Sequence, residues 1–181
     1  MKRPTITFLM SLAAAVTFAA SPALGQGHAQ TRQGFWFNGG LGYGSLGCQD
    51  CGSREGGLSG GLVFGGTLSP RLLIGVGTTG WTKSEGGGSL TVGTLDARFR
   101  FYPSVNGGFY LTGGVGLGSI SASVQGFGSS TETGLGVVLG LGYDFRVGTN
   151  MSLTPFWHGY AVSAGGGDAN VGQLGLSITV H

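Results

Sequence analysis

From Gln33 onward, apolar side chains recur at every second position in short runs. A period of two puts alternate side chains on opposite faces of an extended strand, whereas a helix would repeat every three or four. The first run, 35–43, gathers Phe35, Phe37, Leu41 and Tyr43 on one face and leaves Asn38 and glycines on the other. A second run aligns Leu58, Leu62 and Phe64, and a third aligns Leu72, Ile74 and Val76. In the fourth, Gly93, Leu95, Ala97, Phe99 and Phe101 alternate with Thr94, Asp96, Arg98 and Arg100. The fifth sets Phe109, Leu111, Val115 and Leu117 against Tyr110, Thr112, Gly114 and Gly116. The sixth places Leu135, Val137, Leu139, Leu141, Tyr143, Phe145 and Val147 opposite Gly134, Gly136, Gly140, Gly142, Asp144 and Arg146. A weaker seventh run covers 151–162, and the last carries Leu174, Leu176, Ile178 and Val180 opposite Gln173, Ser177, Thr179 and His181.

Eight such segments of roughly ten residues have the length that a tilted strand needs to cross a bilayer. An open sheet edge cannot be satisfied in hydrocarbon, so the strands must close. The expected fold is therefore all-β: an eight-stranded antiparallel up-and-down transmembrane β-barrel over 34–181. Links after the second, fourth and sixth runs read as tight turns, and the others read as longer Gly- and Ser-rich loops. That asymmetry matches short periplasmic turns and longer external loops. With both termini in the periplasm, Phe35, Phe37, Phe64, Phe99, Phe101, Phe109, Tyr143 and Phe145 fall near periplasmic strand ends, as an interfacial aromatic girdle would.

Composition agrees with this picture. Charged residues make up only 9% of the chain, against about 25% in soluble domains, so lipid solvates much of the surface. Glycine supplies 41 of 181 residues, but there is no collagen period and Pro is scarce. Residues 1–25 begin with Lys2 and Arg3, continue through a short apolar run and end in small residues, the pattern of a cleaved signal peptide. Cleavage after Gly25, or alternatively after Ala29, leaves a short periplasmic leader to residue 33. Without Lys2 and Arg3 the mature chain holds seven basic and seven acidic side chains. A neutral balance gives no support to nucleic-acid binding.

The Gly-X-Gly runs such as 134–142 and the stretch Gly142-Tyr143-Asp144-Phe145 resemble the small bacterial outer-membrane β-barrel superfamily, which includes the OmpA membrane domain and OmpX. Chains of that group usually end in Phe, a signal for the barrel-assembly machinery, whereas this sequence ends in His181. The resemblance implies an outer-membrane location, contact with outer-membrane lipids, passage through the assembly machinery and a monomeric barrel.

Candidate chemistry is sparse. Cys48 and Cys51 are expected to form a disulfide pinning the first external loop, because a secreted chain with one close Cys pair favours a bridge. A redox motif would want a helix N-terminus, and a zinc site would want about four ligands. No metal or other cofactor is expected. His158 faces the lumen, but the outer-membrane lipid A deacylases pair a His with a Ser two residues later, and Tyr160 stands there. His28 and His181 read as incidental. The inward charges Asp96, Arg98, Arg100, Asp144 and Arg146 are expected to form a lumen network, since buried charges need opposite partners. A barrel of eight strands is just wide enough for side chains to fill, which favours a plugged lumen and a structural or surface-interaction role. A narrow channel for ions or small solutes is the alternative, and a lipid A-modifying enzyme ranks third.

Overall fold

A computed structural model describes residues 32–48, 52–124, 126 and 128–181. Among them lie β1 (Phe35–Cys48), β2 (Glu55–Ser69), β3 (Leu72–Glu85), β4 (Gly88–Phe101) and β5 (Phe109–Val124). They are followed by β6 (Gly128–Tyr143), the two-residue β7 (Phe145–Arg146), β8 (Met151–Ala164) and β9 (Gly167–Val180). Each long strand pairs antiparallel with its sequence neighbour, β1 pairs with β9, and β6 pairs with β8 across the remaining gap. The sheet is thus a closed barrel of eight full-length strands, with β7 continuing β6. Closure leaves no free hydrogen-bonding edge around the middle of the wall.

The short break between β6 and β7 has a local cause. Gly142 faces Phe156 and Phe145 faces Leu153, so one register runs through both and places Pro155 opposite Tyr143. Proline has no N–H to give the ladder. The Asp144 amide lies on the β5 side of the strand and donates to the Gly108 carbonyl, at 2.9 Å.

Both termini of the barrel and the β2–β3, β4–β5 and β7–β8 links lie at one end, called here the terminal end; the other is the loop end. The links at the loop end are shorter than the Gly- and Ser-rich composition suggests. β3 and β4 meet through Gly86 and Gly87, and β8 and β9 meet through Gly165 and Gly166, all four at positive φ. Two successive residues at positive φ form the twisted hairpin turn that strands prefer. Ser84, Glu85, Gly88 and Ser89, which read as loop, are therefore strand, and the long strands run to 14–16 residues. The longest link with every residue described is the β4–β5 connection, at the terminal end.

Parity divides the wall cleanly. Leu135, Val137, Leu139, Leu141 and Phe145 point outward and are exposed, as are Leu41, Leu62, Phe64, Leu95, Leu117 and Leu176. Along β6 the apolar outer positions span ten residues, which at the usual rise and tilt is a band about 25 Å tall. Inside, two apolar clusters bracket a polar layer. Trp36, Val63, Leu73, Tyr102 and Tyr110 pack together toward the terminal end. Leu46, Trp81, Val92, Val138, Tyr160, Val162 and Val171 pack together toward the loop end.

Glycines make room for these side chains. A methyl group on Gly44 would lie 2.6 Å from Cδ1 of Trp81, and one on Gly57 would lie 2.7 Å from its Cε2. Gly142 leaves space in the same way for the Tyr110 hydroxyl.

Candidate functional site

The polar layer of the lumen is built mainly by β4. Alternation directs Thr94, Asp96, Arg98 and Arg100 to the same inner face, and all four are buried. Residues two apart on a strand are neighbours on that face, so Asp96 and Arg98 meet directly. Arg98 Nε donates to Asp96 Oδ1 at 2.6 Å, and Arg98 Nη2 donates to Oδ2 at 2.7 Å. Thr94 adds a hydrogen bond to Oδ2 at 3.0 Å, and Arg98 Nη2 also reaches Thr79 Oγ1 at 3.0 Å. The pair is satisfied from both sides, as a two-point guanidinium–carboxylate contact requires when buried.

Arg100 belongs to a second centre. Its Nη1 lies 4.0 Å from Asp144 Oδ1 and donates to Thr179 Oγ1 at 3.4 Å. Its guanidinium carbon sits 4.0 Å from the ring centre of Tyr110 and 4.7 Å from that of Trp36. The aromatic faces thus take up part of the charge through cation–π attraction. Asp144 accepts from Tyr102 Oη at 2.7 Å and from Thr154 Oγ1 at 2.6 Å. His181 Nε2 stands 4.0 Å from Asp144 Oδ2, so the residue read as incidental faces this carboxylate.

Of the five charges expected to form one network, four therefore meet as two ion pairs, Asp96–Arg98 and Arg100–Asp144. Arg146 follows the break at Asp144, and its guanidinium turns into the β7–β8 link, where Nε donates to Gly148 O at 3.1 Å and Nη2 to Thr149 O. The aromatic positions Phe35, Phe37, Phe64, Phe99, Phe101, Phe109 and Phe145 are all exposed on the outer face, with Tyr143 half-buried against Phe145 at 4.7 Å. Most of them cluster toward the terminal end.

His158 points inward, stacked on Phe156 with ring centres 4.5 Å apart, and its Nδ1 lies 3.4 Å from Gln173 Nε2. A cavity of about 10 Å³ lies among His158, Gln173, Arg98, Thr79 and Asn38, room for about one water molecule. No serine or carboxylate hydrogen-bonds to His158 among the described residues. Nor does any group of three or more His, Cys, Asp and Glu side chains there suit a metal ion. Cys48 closes β1, while Cys51, the signal segment 1–25 and leader residues 26–31 lie outside the described residues.

Arg32 is the participant that sequence reasoning missed. It is 1% exposed, and its guanidinium carbon lies 3.4 Å from the centre of the Tyr102 ring. It also donates to Val105 O at 3.1 Å and Gly107 O at 2.5 Å, both in the β4–β5 link. Trp36, Tyr102 and Tyr110 share the inward parity and were available from that signal. Arg32 precedes the alternating run, so no periodicity marks it.

Similarity to solved structures matches this geometry. Neisserial surface protein A superposes with a TM-score of 0.62 at 18% identity, over 81% of this chain and 96% of that one. The fold is that of the small eight-stranded outer-membrane barrels. Ail, the attachment invasion locus protein of Yersinia pestis, gives a TM-score of 0.62 at 13% identity, over 82% of this chain and 99% of that one. A second Ail structure, in complex with the heparin analogue sucrose octasulfate, gives 0.60 at 15% identity over 81% and 99%. No protein-family model matches the chain, and no curated protein matches it.

Proposed function

We propose that this chain is exported and inserted as an integral barrel of the bacterial outer membrane, where it has a structural or surface-interaction role. On this reading residues 1–25 are the signal peptide and 26–33 the periplasmic leader. The terminal end faces the periplasm and the loop end faces outward. The observation that carries the reading is the opposite polarity of the two faces of one wall: Leu135, Leu139 and Leu141 lie outward on β6, while Arg98, Arg100, Asp96 and Asp144 are buried within. Water would not tolerate that exterior as a contiguous surface, and lipid would. Outer-membrane lipids are thus the solvent of the band, the barrel-assembly machinery inserts it, and a closed ring needs no second copy.

The lumen reads as plugged. Support comes from the two ion pairs, from Trp36, Trp81, Tyr102 and Tyr110 packed above and below them, and from the small size of the central cavity. The role is non-enzymatic on this reading, because His158 is held by Phe156 and Gln173 rather than by a nucleophile and an acid. The polyanion seen with Ail is not carried over to this chain. Loop-end Glu55, Glu85, Glu132 and Asp168 outnumber Arg54 and Lys83 there, and Lys83 is already bound to Glu55 and Glu85 at 2.7 Å each.

Membrane insertion is tested by fractionating cells and comparing boiled with unboiled protein on a detergent gel. The expected result is an outer-membrane protein whose unheated form migrates apart from its heated form. A freely soluble periplasmic product would overturn the proposal.

A further inference from the structure

The guanidinium of Arg32 sits in a pocket whose walls are held in place without it. Tyr102 directly follows β4; its N–H donates to Arg71 O at 2.8 Å, and its hydroxyl donates to Asp144 at 2.7 Å. The β4–β5 link is braced in the same way. Gly107 N–H donates to Ser104 O at 3.3 Å, and Gly108 O accepts from Asp144 N–H at 2.9 Å. The link thus presents Val105 O and Gly107 O beside the Tyr102 ring, and the β2–β3 link adds Pro70 O. A site built in advance does not have to be ordered by its ligand.

These groups suit a guanidinium in particular. Arg32 Nη1 donates to Val105 O at 3.1 Å and to Pro70 O at 3.4 Å, while Nη2 donates to Gly107 O at 2.5 Å. The carbon between the two nitrogens lies over the aromatic ring, whose face attracts a cation. Two nitrogens are therefore engaged at once. A lysine ammonium is a single point charge and cannot be divided that way. Arg32 Nε makes no hydrogen bond among the described residues, so recognition falls on the terminal fork and the ring contact.

The occupant is joined to the wall through a hinge. Pairing of β1 with β2 begins at Phe35 opposite Gly66, which leaves residues 32–33 outside the ladder. Between them and the strand stands Gly34 at a φ of 73°, with open space where a side chain would be. Its carbonyl is fixed by Thr67 N–H at 2.9 Å. Glycine passes between positive and negative φ at no steric cost, so the chain before this anchor can swing while the wall stays closed.

We propose that the terminal mouth is a receptor for a guanidinium group, with Arg32 as its tethered ligand. An arginine side chain of another protein takes the pocket when the leader swings away about Gly34. A short tether holds its ligand at an effective concentration of about millimolar, so a partner competes with Arg32 for an occupied site. The pocket stands on its own geometry, and the membrane reading serves only to place the partner in the periplasm.

The test follows the Tyr102 ring signals by NMR in mature barrels with isotope-labelled tyrosine. The probes are ethylguanidinium, ethylammonium and a capped Gly-Arg-Gly peptide, each at millimolar concentration. Arg32→Ala vacates the pocket, and Arg32→Gln, which keeps a polar chain without the charge, is run beside it in case the first does not fold. Ethylguanidinium and the peptide should each shift Tyr102 saturably in the variants. The wild type should need about tenfold more of either, because Arg32 competes, and this difference in a single titration keeps the test open. Ethylammonium should act far more weakly. No shift in a folded variant would overturn the proposal, as would an equal response of variant and wild type, which places binding elsewhere. An equal response to ethylammonium would overturn the guanidinium specificity. A shift with ethylguanidinium but none with the peptide would overturn supply by a second chain and leave Arg32 as the sole ligand.

Discussion

The guanidinium carbon of Arg32 sits over the Tyr102 ring, 3.4 Å from its centre, and Tyr102 in turn donates to Asp144 at 2.7 Å. A residue from outside the barrel wall thereby reaches a buried lumen carboxylate through one intermediary. Desolvated cation–π contacts contribute about 2 kcal/mol. Arg32→Ala should therefore lower the unfolding free energy in detergent by about that amount, and Arg32→Lys should lower it less. Equal stability of all three proteins in urea titrations would remove Arg32 from the terminal mouth.

Asp96 and Arg98 are predicted to be strongly coupled. Removing one partner of a buried pair leaves an uncompensated charge and costs about 3–5 kcal/mol, whereas removing both costs far less. Asp96→Asn should be severely destabilising, and adding Arg98→Met should recover much of the loss. A double-mutant cycle that comes out additive would mean that the lumen is wet enough to solvate each charge alone.

Planar-bilayer recordings address the lumen. The purified barrel is expected to show no stable, discrete conductance. Steady unitary currents that change with Arg98→Ala or Arg100→Ala would establish the channel alternative.

Gly44 is predicted to be intolerant of a side chain. Its methyl group would meet Trp81, Ser59 and Val171 at once, and overpacking of this kind costs about 1–3 kcal/mol. Gly44→Ala should be destabilising in thermal melts, and much less so when Trp81 is replaced by Phe. An equal penalty in both backgrounds would place the clash elsewhere.

A Cys48–Cys51 bridge is expected, and alkylation with mass spectrometry checks it. The mature protein should carry no reactive thiol without reductant and two after reduction. Two alkylated cysteines in the untreated protein would rule out the bridge.

The strands and their faces were legible because parity survives without any knowledge of neighbours. Leu135 through Phe145 needed only their spacing to declare which side they occupy. Strand ends were harder to read. Ser84, Glu85 and the glycines after them carry few apolar groups to alternate, so paired strand and loop look alike there until Gly86 and Gly87 are seen at positive φ. The charge cluster was legible as a set on one face, but not as two centres. The division depends on the break at Asp144, next to Tyr143 opposite Pro155, and on the link that captures Arg146. Arg32 and His181 were out of reach because each lies at the margin of the pattern, where one side chain has no period to belong to.

The pairing of large inner side chains with facing glycines has a consequence for the bore of the barrel. The bulk that fills the middle is concentrated in a few residues, chiefly Trp81, Tyr110 and Arg100, each leaning over a wall that is bare at that height or stacked on an aromatic ring. Such a tube is wide by construction and narrow by upholstery. Trimming two or three of those side chains would uncover smooth glycine walls already in place, so the calibre can change without moving a strand.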